Sequence, residues 1–126
     1  MPVRSPSRAR NERQKRYRKG IRSERIAALY LRLKGWRIVA GRFKTPVGEI
    51  DLIARRGRVL AFIEVKARRN KDSAAEAIHP RNQQRVMRAA QIFLQQHPDY
   101  ANATIRFDAC LVPWYGWPHY IPEAFC

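Results

Sequence analysis

The sequence is poor in cysteine and has no long apolar run, and each shortage excludes a class of protein. Only two of its 126 residues are cysteines, too few for a disulfide framework, and no Cys/His cluster has zinc-ligand spacing. No apolar run approaches the roughly 18 residues that span a bilayer. The basic N-terminus is not followed by the apolar segment of a secretory signal. We therefore expect a reduced, cytoplasmic protein with no membrane span.

Acidic residues are also scarce, since 26 Lys and Arg face only 10 Asp and Glu. The formal net charge is +16 and the pI is near 11.2. Self-repulsion on this scale destabilises a compact fold, so a polyanionic partner is expected. Nucleic acid is the favoured partner, with an anionic membrane surface or a merely solvated basic surface as the alternatives.

The N-terminal segment concentrates positive charge and has almost no bulky apolar side chain. Such a segment cannot bury enough surface to fold alone. We predict a disordered basic arm over residues 1–19 and a single domain over 20–126. The arm would either follow phosphate groups or only aid solubility.

Hydrophobic periodicity and turn residues predict two helices and four or five strands. The first helix should begin at residue 12 or 20 and end at Lys34, before Gly35. The second helix should cover about 81–96, with a buried stripe at Val86, Ala90 and Phe93. Strands are predicted at 36–43, 49–54, 59–67 and 103–113, with an extra edge strand in the aromatic tail. The order αβββαβ indicates an α/β fold, a mixed β-sheet flanked by helices.

Charged residues interrupt two predicted strands that are otherwise apolar. If Arg55 pairs with Arg58 across an Arg56-Gly57 loop, Asp51 and Glu64 are diagonal neighbours with Cβ atoms on the order of 7 Å apart. Period-two alternation then places six residues on one face: Glu49, Asp51, Leu60, Phe62, Glu64 and Lys66.

Two carboxylates this close repel each other, and each is costly to desolvate without compensation. A divalent cation such as Mg²⁺ would compensate Asp51 and Glu64. Lys66 could then orient or deprotonate a water, or stabilise charge at a phosphate. Glu24, on the apolar face of the first helix, could add an acidic contact. The alternative is that each residue only pairs with a surface charge, but their joint occurrence in so basic a chain favours metal-assisted phosphodiester hydrolysis.

The stretches GEIDLIA (48–54) and FIEVKAR (62–68) resemble the PD-(D/E)XK nuclease superfamily. From Gly20 to Phe125 the chain is most similar to the YraN-like family of uncharacterised bacterial proteins, itself similar to archaeal Holliday junction resolvases. The resemblance implies a restriction-endonuclease-like fold and Mg²⁺ or Mn²⁺ as cofactor. It places metal ligands at Glu24, Asp51 and Glu64. It assigns catalytic roles to the same three residues and to two more, Lys66 and Gln83. Asn82 departs from the family pattern, which often has a lysine there.

Basic residues flank the predicted site and are candidates for phosphate contacts: Arg68, Arg69, Lys71, Arg81, Arg85 and Arg88. Asp108, on the Arg106 face of its strand, is expected to pair with an arginine rather than to bind metal. Trp36, Trp114 and Trp117 are expected to pack in the core or at the sheet edge, with base stacking as the alternative.

These features favour a metal-dependent endonuclease acting on DNA, with branched or structured DNA among its candidate substrates. The alternative is a non-catalytic nucleic-acid-binding protein that keeps the nuclease fold, suggested by the altered 70–82 region. A basic RNA-binding module is a third hypothesis. Two-fold substrates favour a homodimer, with the aromatic C-terminal edge as the expected contact.

Overall fold

The computed structural model describes residues 6–68 and 80–125, and the side chains of 20–68 and 82–125. The helices are α1 (Pro6–Leu33) and α2 (Pro80–Gln96), and a short 3₁₀ turn covers Pro98–Tyr100. The strands are β1 (Arg37–Thr45), β2 (Gly48–Arg56), β3 (Val59–Arg68), β4 (Thr104–Pro113) and β5 (His119–Phe125). The predicted order αβββαβ and the extra C-terminal strand are confirmed.

The five strands form one mixed sheet in the order β1-β2-β3-β4-β5. Neighbouring strands are antiparallel except for β3 and β4, which are parallel. A parallel pair needs a crossover connection, and α2 lies in the segment that makes it. β5 is the edge strand beside β4, and β3 is at the centre of the sheet. The α/β architecture predicted from the sequence is therefore confirmed.

Each face of the sheet is covered by one helix. Ala27 and Leu31 of α1 are buried with strand residues such as Leu52 and Ile63. On the opposite face, α2 packs its predicted stripe against the other side of β2 and β3, and all three members are buried: Val86, Ala90 and Phe93. The apolar faces of the helices and strands thus form two separate cores, one on each face of the sheet.

Helix α1 begins at Pro6, earlier than the predicted start at residue 12 or 20. It ends as predicted at Gly35, whose φ of +91° suits glycine. The amide of Trp36 donates to Leu31 O at 2.9 Å and that of Gly35 to Arg32 O at 3.1 Å, which is a Schellman motif. Residues 1–5 and the side chains of 6–19 lie outside the description, so the predicted division into arm and domain stays a prediction.

Membrane insertion through a helix finds no support in the part of the chain that the structure describes. Neither of its helices combines the length and the apolar character that crossing a bilayer requires.

The β2–β3 hairpin differs from the predicted register. Arg56 pairs with Val59, so the two-residue loop is Gly57-Arg58 rather than Arg56-Gly57. Gly57 has a φ of +61° at the first loop position, where a type II′ turn favours glycine. The pairing moves by two residues, which keeps each β3 residue on its predicted face. The pairing extends to Leu52 and Ile63, the residues next to Asp51 and Glu64.

Candidate active site

The alternation of β2 breaks at Asp51. Ile50 packs in the core beneath α2, whereas Leu52 packs in the core beneath α1, although a regular strand would place both on one face. On β1, Arg42 lies between the residues that pair with these two, and its φ is +49°. Positive φ in a residue other than glycine is strained and tends to occur at functional sites. Asp51 therefore lies at a local distortion of the sheet.

Asp51 lies in the same pocket as Glu64 and Lys66. The pocket has a volume of about 110 Å³ and lies between β2, β3 and the start of α2. Its lining residues are Glu49, Asp51, Glu64, Lys66, Asn82, Arg85 and Val86. The structure thus brings together the aspartate and the Glu-x-Lys pair that the sequence singled out.

Burial dominates the electrostatics of Asp51 and raises the pKa of its carboxyl to about 6. The carboxylates of Glu24 and Glu64 raise this pKa further. The amide of Val65, which donates to Asp51 Oδ2 at 2.8 Å, and the charge of Lys66 act in the opposite direction. At neutral pH the pocket therefore holds a carboxylate whose charge is poorly compensated by its surroundings.

Glu64 is buried and only partly satisfied. Its Oε1 lies 3.1 Å from Lys66 Nζ, but its Oε2 is buried without a hydrogen-bond partner. A buried acceptor left without a partner costs about 1–3 kcal/mol, and more when it is charged. Such an atom in a native site requires an explanation.

The carboxylates of Asp51 and Glu64 fit a hard divalent cation. Mg²⁺ takes oxygen ligands and is commonly held by one or two carboxylates, with water and substrate phosphates completing the shell. Within the described residues, no group of three or more His, Cys, Asp and Glu side chains is arranged to hold an ion.

Glu24 is not among the residues that line this pocket. Its Oε2 accepts a hydrogen bond from Arg42 Nε at 2.6 Å, and it lines a separate groove between α1 and β1. Its charge nevertheless contributes to the raised pKa of Asp51. Its role as a third metal ligand stays a prediction, and in this structure its carboxylate is paired with Arg42.

On the α2 side, Asn82 and Arg85 line the pocket, whereas Gln83 does not. Gln83 is half-buried beside them, and its predicted catalytic role stays a prediction. Glu49 and Asn82 are lining residues that the sequence-based site lacks. Period-two alternation already placed Glu49 on the face of Asp51. Asn82 was visible only as a departure from the family pattern.

Gly48 explains how α2 comes so close to β2. A Cβ added at Gly48 would overlap the backbone carbonyl of Arg85, so only glycine allows this approach. The contact fixes the first turns of α2 over the start of β2. It therefore positions Asn82 and Arg85 opposite the carboxylates of the pocket.

The predicted phosphate-contact residues have different outcomes. Arg85 lines the pocket, Arg88 is exposed on the next turn of α2, and Arg68 Nη1 donates to Ala67 O at 2.8 Å. Arg69 and Lys71 lie outside the described residues. Arg81 belongs to α2, but its side chain is likewise outside the description.

Another buried carboxylate, that of Asp108, lies on β4, away from the pocket. We call Asp108 and its hydrogen-bond donors the Asp108 cluster. Asp108 is fully buried and accepts hydrogen bonds from Arg106 Nε at 3.0 Å and from Arg106 Nη2 at 2.8 Å. The Tyr120 hydroxyl and the Glu123 amide also donate to it. The predicted pairing of Asp108 with an arginine is confirmed.

The three tryptophans do not share one environment. Trp36 is buried in the core beside α1, as predicted. Packing was the wrong prediction for Trp114 and Trp117, which are 59% and 75% exposed in the loop between β4 and β5. An aromatic side chain supplies apolar surface, but its sequence position does not specify what covers it.

Comparison with known proteins identifies the family. The model of the uncharacterised protein family UPF0102 matches residues 23–112. A UPF0102 protein of Rhodopseudomonas palustris (strain BisB18) is 52% identical over 121 residues, covering 96% of this chain and 90% of that protein. A UPF0102 protein of Parvibaculum lavamentivorans is 52% identical over 109 residues, covering 86% of this chain and 82% of that protein. The chain belongs to this family.

Among solved structures, this chain is similar to Hjc of Archaeoglobus fulgidus, a Holliday junction resolvase from an archaeal hyperthermophile. The two chains are 20% identical in sequence, with a TM-score of 0.47. The similarity covers 82% of this chain and 76% of that one.

Proposed function

We propose that this member of the family UPF0102 is a metal-dependent endonuclease that hydrolyses phosphodiester bonds in DNA. One observation carries the proposal: Asp51, Glu64 and Lys66 line one pocket in which a buried carboxylate oxygen has no partner. The net charge of +16 complements a polyanionic substrate. The sequence resemblance to PD-(D/E)XK nucleases rests on the same three residues.

Asp51 and Glu64 would hold Mg²⁺ or Mn²⁺. When bound between carboxylates beside a phosphate, such an ion supplies positive charge to the reacting group and lowers the pKa of a coordinated water. The protein contributes the negative charge that attracts the ion, together with the burial that strengthens this attraction.

Lys66 would act on the phosphate and on the attacking water. Its Nζ lies 3.1 Å from Glu64 Oε1, so this ion pair holds the ammonium group at the pocket. There it can orient a water and stabilise negative charge that develops in the transition state. Arg85 and Asn82, on the opposite wall, would donate hydrogen bonds to phosphate oxygens.

The test is cleavage of labelled single-stranded, duplex, flap and four-way-junction DNA by the purified full chain. Reactions contain EDTA, Mg²⁺ or Mn²⁺. Cleavage should require metal, and Lys66→Ala should lower its rate about 10²- to 10³-fold, because a positioned charge or proton-transfer group contributes that much. Lys44→Ala, on β1 outside the pocket, removes the same charge and serves as the matched control.

Tight DNA binding without cleavage under any metal would sink the endonuclease proposal. It would favour the alternative of a non-catalytic nucleic-acid-binding protein. A clear preference for RNA over DNA at matched salt would instead favour an RNA-binding module, since phosphate contacts alone give salt-dependent affinity without that preference. Equal loss of cleavage in Lys44→Ala would show that net charge, not Lys66, is responsible.

A further inference from the structure

A group of exposed aromatic rings lies on the face of the sheet opposite the Asp51 pocket. Trp114, Tyr115 and Trp117, in the loop between β4 and β5, are 59%, 91% and 75% exposed. We call these three residues the aromatic loop. Large exposed apolar groups clustered in this way mark interaction sites more often than scattered ones do.

The aromatic loop borders a series of grooves along α1. Trp114 and Tyr115 line a groove of about 340 Å³ with Arg22 and Ile26. Trp117 lines a second groove of about 330 Å³ whose other members are Tyr30, Leu33 and Lys34. Along the helix, the distance from residue 22 to residue 34 is about 18 Å, or about five nucleotides of stacked single strand.

We call this row of grooves along α1 the track, and its charge is positive. A third groove, of about 310 Å³, shares Tyr30 and Lys34 with the second and adds Arg56. Arg22, Lys34 and Arg56 therefore follow one another along the track. None of the described residues that line the three grooves is an aspartate or glutamate. A second copy of this chain would bring a further charge of +16, so an anionic partner is the better complement.

We propose that the aromatic loop and the adjoining face of α1 bind single-stranded DNA. Bases would stack on Tyr115 and Trp117, and phosphates would lie along Arg22, Lys34 and Arg56. Aromatic platforms in a basic groove are the combination that binds single strands without sequence preference, because every base has a face that can stack.

The position of the track relates it to the proposed nuclease pocket, and this step rests on the proposed function. Ala67 lines the first groove, while its neighbour Lys66 lines the pocket on the other face of β3. The Trp114 amide donates to Arg68 O at 3.1 Å, which attaches the aromatic loop to the end of β3. Under the proposal, a strand leaving the pocket would pass around this end of the sheet to the track. The preferred substrates would therefore have an unpaired strand beside the scissile bond, as flaps and open junctions do.

The test measures the affinity of the full chain for labelled single-stranded DNA and blunt duplex DNA by fluorescence anisotropy at fixed salt. The double variant Tyr115→Ala/Trp117→Ala should lower single-strand affinity about thirtyfold or more, because stacking of two bases is lost. The ratio of single-strand to duplex affinity should fall with it. The matched variant Tyr115→Phe/Trp117→Phe keeps an aromatic ring at both positions and should keep most of the affinity. Lys34→Gln should reduce the slope of log affinity against log salt by about 0.7.

Unchanged single-strand affinity in the double alanine variant would overturn the proposal. It would also be overturned if light scattering showed a wild-type dimer that only the alanine variant dissociates, since the loop would then be an interface between copies. A single-stranded RNA probe of the same length tests the nucleic acid, and tighter binding to RNA would contradict the assignment to DNA. Lys66→Ala tests cleavage and the double alanine variant tests single-strand affinity, so failure of the nuclease proposal and failure of this one appear in different variants.

Discussion

Two buried carboxylates on adjacent strands of this sheet have very different surroundings. Asp108 on β4 accepts hydrogen bonds from Arg106, the Tyr120 hydroxyl and the Glu123 amide. Glu64 on β3 has one ion pair, with Lys66, and a buried oxygen with no partner. Both side chains are almost inaccessible to solvent, with exposures of 0% and 6%.

The difference is consistent with a structural role for Asp108 and with the metal-binding role proposed for Glu64. A buried charge is tolerated when its partners satisfy every lone pair, and the protein then loses stability if a partner is removed. The Asp108 cluster meets this condition within the chain. Glu64 and the desolvated Asp51 do not, and under the proposed function a cation and a phosphate would complete their interactions.

The largest expected effect is the loss of the Asp108 cluster. Asp108→Ala should lower the free energy of unfolding by about 3–5 kcal/mol, because it leaves Arg106 and the Tyr120 hydroxyl without their buried acceptor. Urea denaturation measures this change. Tyr120→Phe, which removes one hydrogen bond, should lower the free energy of unfolding by about 1–2 kcal/mol. An Asp108→Ala variant within 1 kcal/mol of wild type would contradict the structural role.

Loss of the negative charge of Asp51 should instead raise the free energy of unfolding. Its pKa is raised from an ordinary 3.8 to about 6, so the folded protein binds this proton more tightly than the unfolded chain does. The resulting stabilisation is complete below pH 4 and is lost as the pH rises through 6. Above that pH the carboxylate lowers the free energy of unfolding by about 3 kcal/mol relative to low pH. Asn removes the charge and can still accept a hydrogen bond from Val65.

Asp51→Asn should therefore be more stable than wild type by up to about 3 kcal/mol at pH 7.5 and similar to it at pH 4. The measurement is urea denaturation at both pH values in EDTA. A gain of the same size at both pH values would show that packing, not the charge of Asp51, is responsible.

The elements that local patterns determine were predictable. The helical stripe of Val86, Ala90 and Phe93 and the glycine end of α1 depend only on residues near one another in sequence, and both are confirmed. The residue types of the site were also predictable, because charged residues are costly to bury in an apolar strand and their presence there indicates a site. Asp51, Glu64 and Lys66 do share one pocket.

Contacts between distant segments were not predictable. Both Arg56-Gly57 and Gly57-Arg58 suit a two-residue turn. The structure has the second, which moves the register of the hairpin by two residues. The break at Asp51 accompanies the positive φ of Arg42 on another strand. Likewise, the pairing of Glu24 with Arg42 joins α1 to β1, and no local pattern specifies such a contact.

The smallest expected effect, stabilisation by Mg²⁺, tests the contrast between the Asp108 and Glu64 carboxylates most directly. An ion that binds only the folded protein stabilises it, by about 1.4 kcal/mol when Mg²⁺ is at ten times its Kd. Thermal unfolding with and without Mg²⁺ should show this gain in wild type and in Tyr120→Phe, but not in Asp51→Asn or Glu64→Gln. Because Mg²⁺ binds the ionised carboxylate of Asp51, the gain should shrink as the pH falls below about 6. If Glu64→Gln kept the full gain, the ion would bind elsewhere, and the unpartnered oxygen of Glu64 would need a different explanation.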